Sequence, residues 1–226
     1  MAWLLAALLA LPAASQAAER AVTVTVLHAR EAFTHTLALR EAQQATFTGQ
    51  VRGTLGKPGS MILNALLGGG GALQLQLELT RPGAEPTTFQ LQSEVELAPG
   101  APVNAAECDG WTVTLKYAGP RTSARPSNRR VSADLRRGTA RVLCRQLLKP
   151  GTQANVVSGG TKGGKRFGYI LNTLLAAEGA GYSLQYQLEH SPPGAQPLQL
   201  QNQATVAPGR PHRESNAGYR LELRVD

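Results

Sequence analysis

Along this chain, apolar residues alternate with Thr, Gln, Glu or His in stretch after stretch. Val22 to Val26, Phe33 to Leu39, Leu73 to Leu79, Phe89 to Leu97 and Trp111 to Leu115 share a period of two. That is the pattern of antiparallel strands with one buried face. It returns at Tyr182 to Leu188, Leu198 to Val206 and Tyr219 to Val225, and turn residues such as Arg81-Pro82-Gly83 and Pro192-Pro193-Gly194 punctuate the runs. Ile62 to Leu67 and Ile170 to Leu175 pair apolar residues four apart, and this spacing predicts one short helix in each half.

The halves resemble each other. Ile62-Leu63-Asn64-Ala65-Leu66-Leu67 returns as Ile170-Leu171-Asn172-Thr173-Leu174-Leu175. Leu73-Gln74-Leu75-Gln76-Leu77-Glu78 returns as Leu184-Gln185-Tyr186-Gln187-Leu188-Glu189, and Ala98-Pro99-Gly100 as Ala207-Pro208-Gly209. The order is the same in both, so the chain reads as a duplication: copy 1 over residues 18–118, a linker over 119–127, and copy 2 over 128–226. Six or seven strands are expected per copy. The fold class is all-β, two tandem antiparallel β-sandwich-like modules, because stacking two sheets buries one face of every strand.

Composition places the protein. Residues 1–17 join an apolar run, Ala2 to Leu11, to the small residues Ser15 and Ala17, which reads as a signal peptide cleaved after Ala17. The expected location is periplasmic or secreted, with no transmembrane helix in the mature chain. In an oxidising compartment the only two cysteines, Cys108 and Cys144, read as a disulfide tying the halves together.

Charge divides the copies. Residues 19–120 hold seven Lys or Arg against nine Asp or Glu, whereas residues 121–226 hold 16 against six. A basic face is expected on the second copy from Arg129, Arg130, Arg136, Arg137, Lys162, Lys165 and Arg166. Its field attracts an acidic envelope protein or an anionic glycan or lipid. Nucleic acid fits least, because no aromatic residues are interleaved with the arginines to stack on bases.

Catalytic chemistry is hard to find. Gly159-Gly160-Thr161-Lys162-Gly163-Gly164-Lys165-Arg166 nearly matches a phosphate-binding loop, but Arg166 stands where that loop needs a Ser or Thr hydroxyl. A basic hairpin is the simpler reading. The histidines His28, His35, His190 and His212 have no His counterpart in the other copy. With Ala29 to Ala32 as a turn, Val26 rather than His28 faces His35. No Gly-x-Ser-x-Gly turn accompanies Asp109, Asp134 or Asp226, and Glu94 and Glu96 share one strand face as solvated carboxylates. Neither a catalytic residue nor a metal or cofactor site is assigned. An outer-membrane β-barrel and a carbohydrate-active enzyme, its carboxylates gathered only by the fold, are the alternatives.

Val22-Thr23-Val24-Thr25-Val26-Leu27 with Arg30-Glu31-Ala32-Phe33, and Phe89-Gln90-Leu91-Gln92 running to Ala98-Pro99-Gly100, resemble in strand rhythm the β-domain of secretins and their short relatives in bacterial secretion and pilus systems. The Val-Pro and Gly-x-Leu-Phe elements of secretins are absent. The resemblance implies a non-catalytic envelope component working by strand pairing and protein contacts, and it carries over no site residues.

Overall fold

A computed structural model describes residues 20–120 and 125–226. The signal-peptide reading, and residues 121–124 of the linker, lie outside the described residues. Copy 1 supplies β1 (Arg20–His28), β2 (Glu31–Leu39), β3 (Gln44–Arg52), β4 (Pro58–Leu67), β5 (Ala72–Arg81), β6 (Thr87–Glu96), β7 (Val103–Cys108) and β8 (Trp111–Ala118). Copy 2 repeats the set as β9 (Arg129–Arg137), β10 (Ala140–Leu148), β11 (Gln153–Lys162), β12 (Lys165–Glu178), β13 (Gly181–Ser191), β14 (Leu198–Val206), β15 (His212–Asn216) and β16 (Tyr219–Val225).

The strands form two antiparallel eight-stranded sheets. Sheet I runs β15-β16-β9-β10-β7-β8-β1-β2 and sheet II runs β14-β13-β12-β11-β6-β5-β4-β3. The all-β sandwich expectation holds. The sheets do not close into a barrel, so the barrel alternative is not this architecture. Among the described residues no helix is long and apolar enough to cross a membrane.

The two expected helices are strands. Met61, Leu63, Ala65 and Leu67 of β4 turn inward and are buried, while Ile62 on the other face is 37% exposed. Because both faces of this run carry apolar side chains, a period of two also places apolar residues four apart. β12 does the same with Tyr169, Leu171 and Leu175 inward. With these segments as strands, each copy has eight rather than six or seven. The first hairpin is also tighter than expected: Ala29 and Arg30 alone make the turn, at φ 50° and 69°. Val24, not Val26, therefore faces His35.

Each sheet is shared. β10 joins β7 through Cys144↔Cys108, Arg145↔Glu107 and Gln146↔Ala106, and β11 joins β6 from Asn155↔Gln92 to Gly160↔Thr87. The copies are thus stacked head to tail, since β2 and β3, the counterparts of β10 and β11, are left as the outer edges. The Ser93 hydroxyl donates to the Leu147 carbonyl across the joint (2.7 Å). Buried Gln146 donates to Thr173, where copy 1 has Leu37 and Ala65 at the corresponding register positions.

The free ends have diverged from the joint. Where the joint places Cys144 and Val156, the outer edge of copy 1 places His35 and Phe47, stacked at 3.6 Å. The Ala32 amide donates to the Thr54 hydroxyl and its carbonyl accepts the Thr54 amide. At the opposite end Glu214 replaces Ala106 and accepts from Asn202 and His212, both at 2.9 Å. Such inward-facing polar groups are how sheet proteins blunt an edge against further pairing.

Candidate functional site

The structure divides the expected basic face. Alternation along β9 sends Val131, Ala133 and Leu135 into the core, so Arg130, Ser132, Asp134 and Arg136 stand on the outer face of sheet I. Arg129 and Arg137, on the inward side at the strand's two ends, fold over tyrosine rings instead. Arg129 lies 5.6 Å from the Tyr182 centroid and donates to its hydroxyl, and Arg137 lies 4.9 Å from the Tyr219 centroid. Lys162, Lys165 and Arg166 are exposed on the β11–β12 hairpin of the other sheet. Of the expected set, only Arg130 and Arg136 stand on the outer face of sheet I.

Pairing adds arginines that their sequence positions kept apart. Arg220, Arg136 and Arg141 stand side by side on β16, β9 and β10. The next row is Arg213, Glu222, Asp134 and Leu143, and the next is Arg224, Ser132, Arg145 and Glu107. With Arg130, whose backbone pairs with that of Asp226, the face holds seven arginines against four carboxylates. Asp134 is clamped by Arg136 and Arg141 at 2.6 and 2.8 Å, and the hydrogen bond from Arg136, joined by that from Arg141, draws its carboxyl down to about 2. Arg145 pairs with Glu107 (2.8 Å) and Arg213 with Glu222 (3.0 Å). Among the described residues neither Arg130 nor Arg220 has a carboxylate within ion-pair distance. The face therefore keeps a positive surplus while its own acids orient most of the guanidinium forks.

The remaining candidates take structural places. In the Gly159–Arg166 segment, Gly163 and Gly164 make a tight hairpin turn at φ 56° and 72°. A Cβ on Gly160 would come within 2.5 Å of the Pro86 carbonyl. The glycines thus permit close strand packing rather than an anion cradle. Glu94 and Glu96 both reach Lys149 (3.8 and 3.3 Å), and Glu96 accepts the Ser127 amide (2.7 Å), so they tether copy 2 to β6 of copy 1. Cys108 and Cys144 are directly opposed across the joint, both fully buried. Burial first, and then the hydrogen bond that its S–H donates to Cys144, pushes the Cys108 thiol well up.

His28 stacks on Trp111 (3.9 Å, 9°) and its Nδ1 meets Arg81. Burial, reinforced by repulsion from Arg81, lowers it from 6.5 to about 4. The unfolded chain takes up this proton near pH 6.5 and the folded chain only near pH 4, so acid favours unfolding between those values. His190 is lowered in the same direction by burial. The denaturation midpoint should fall as pH drops from 7 to 4. His28→Gln should flatten that fall in part and leave the further loss below pH 4 that comes from protonating Asp134. A profile identical to wild type would contradict this assignment.

Comparison with family models, curated proteins and solved structures finds no match to this chain.

Proposed function

We propose that this chain is a non-catalytic binding module exported to the cell envelope, and that the arginine rows on sheet I of copy 2 hold an anionic glycan. The observation that carries this reading is the placement of seven arginines in adjacent cross-strand rows on one face. Neighbouring strands hold such side chains about 4.8 Å apart, so the positive charges form a fixed lattice. Guanidinium forks suit carboxylate and sulfate groups in pairs, and a polymer with charge on successive sugars engages several at once. The envelope location follows from reading residues 1–17 as an export signal, together with the resemblance to secretin β-domains. Assembly with an envelope protein through free sheet edges is the weaker reading, because both ends carry polar caps.

Retention on immobilised heparin tests the proposal. R130E/R220E reverses the two arginines that have no carboxylate partner, so the internal ion pairs stay intact. It should elute at clearly lower salt than the wild type, whereas K165E/R166E, on the other sheet, should elute close to it. Equal retention of all three proteins, or an equal loss in both variants, would sink the reading.

A further inference from the structure

Copy 2 departs from copy 1 most sharply along one inward-facing row of sheet II. In copy 1 the row runs Gly49, Met61, Leu79 and Phe89 across β3 to β6. In copy 2 the same register holds Ser158, Tyr169, His190 and Leu198. A glycine and two fully buried apolar side chains have become a hydroxyl, a phenol and an imidazole. Tyr169 is only 2% exposed, and neither its hydroxyl nor His190 Nδ1 has a hydrogen-bond partner in the protein. Unmet polar groups of this kind destabilise a folded protein, so their place in an otherwise apolar row calls for a reason. A fourth substitution falls beside them: Asp109 occupies the β7–β8 turn where copy 2 has Ala217, both at positive φ. Its carboxylate accepts the Ser158 hydroxyl at 3.2 Å.

These groups gather at a cleft of about 730 Å³ at one end of the joint, lined by both copies. Copy 1 brings Arg81, held against His28, and copy 2 brings Lys162. Phe167, Pro192 and Pro193 give apolar wall. Asp109, an exposed residue of the β7–β8 turn, brings one carboxylate to the cleft. Glu85 on the rim is exposed and accepts the Gly163 amide at 2.7 Å, so the two do not form the buried carboxyl pair a glycosidase needs. Arg141 belongs to both surfaces, closing the first arginine row on sheet I and lining the cleft.

We infer that this cleft binds a uronic acid unit, the carboxylate-bearing sugar that ends or interrupts the glycan lying on the arginine rows. The inference rests on the reading above. Arg81 and Lys162 meet the carboxylate. Asp109 and the accessible side of the His190 ring supply an acceptor and a donor for ring hydroxyls, while the Tyr169 ring, its hydroxyl sealed in the core, forms the floor beneath them. Phe167 and the prolines cover the C–H face of the ring. The size lies within the range of small-ligand sites.

The test is titration of the protein with free D-glucuronate, followed by isothermal calorimetry, with D-glucose as the neutral comparator. Saturable binding of glucuronate, at least about tenfold tighter than glucose, is expected; tenfold corresponds to about 1.4 kcal/mol. Y169M/H190L installs the residues copy 1 uses in the same register. It should fold with an unchanged or higher thermal midpoint, lose glucuronate binding, and keep its retention on heparin. Binding that survives in Y169M/H190L, equal binding of glucose, or no saturable binding in the wild type would each overturn the inference. The two readings fail separately: R130E/R220E acts on heparin retention and leaves free glucuronate binding in place.

Discussion

The oxidised chain is expected to resist unfolding by roughly 4 kcal/mol more than the reduced chain, because joining Cys108 to Cys144 closes a loop of about 37 residues in the unfolded state. The two side chains are directly opposed across β7 and β10, at a separation that a cross-strand pair provides and a disulfide accepts. Both thiols are free in this structure; a bond between them would join copy 1 to copy 2 where sheet I is held by only three register pairs, so its constraint would act on the shortest part of the joint. Timing matters as well. Both thiols are wholly buried and Cys108 resists ionisation, and a buried neutral thiol is a poor nucleophile. The reduced, folded protein should therefore oxidise slowly, and the bond should form by exchange with an oxidised dithiol while the chain is still folding. Urea unfolding with and without reductant measures the difference, and a thiol titration of the denatured, unreduced protein checks its cause. Two titratable thiols in protein recovered from an oxidising compartment would rule the bridge out.

The parts of this fold that were legible in the sequence are those that depend on one strand at a time. Alternation at Val22 to Val26 or Tyr219 to Val225 marks a strand with a buried face wherever its neighbours lie, and duplicated segments mark two copies of one unit. Ile62 to Leu67 was misread because apolar residues on both faces erase the alternation that separates a strand from a helix. Pairing between distant segments was not legible at all. Arg129-Arg130 and Arg136-Arg137 are compact in sequence, yet strand alternation splits each doublet between two faces. The rows on sheet I are completed by Arg213, Arg220 and Arg224, which only the β9–β16 and β15–β16 pairings bring near. A signal for them was present, since Ser132-x-Asp134-x-Arg136 and Arg220-x-Glu222-x-Arg224 both alternate. The cleft was findable too. Met61 and Tyr169 each immediately precede the matching Ile62 and Ile170 segments, and a position-by-position comparison of the copies exposes the change from apolar to polar.

Trp111→Ala should destabilise the protein by about 3–5 kcal/mol, the range for emptying a fully buried aromatic site. Trp111 is 1% exposed and sits between the sheets. One ring face stacks on His28 of β1, in sheet I, and Phe89 of β6, in sheet II, lies 5.5 Å from its centroid. Its loss removes contacts with both layers at the end of the sandwich where the joint and the cleft meet. Trp111→Tyr is the informative partner. Copy 2 places Tyr219 at the equivalent position under Arg137, which corresponds to His28. A smaller aromatic ring that copy 2 already accommodates here should therefore retain more of the stability than alanine, with a loss of about 1.5–2.5 kcal/mol from the volume left unfilled. Urea midpoints followed by far-UV circular dichroism separate the two variants without relying on the indole as reporter. An alanine variant within about 1 kcal/mol of wild type would show that the ring does not clamp the sheets. A second effect follows from the same contact. Packing against the indole is part of the burial that holds His28 neutral down to about pH 4. Opening that side to water lets the imidazole return toward its ordinary value, so the acid-induced loss of stability between pH 6.5 and 4 should shrink in Trp111→Ala while persisting in Trp111→Tyr.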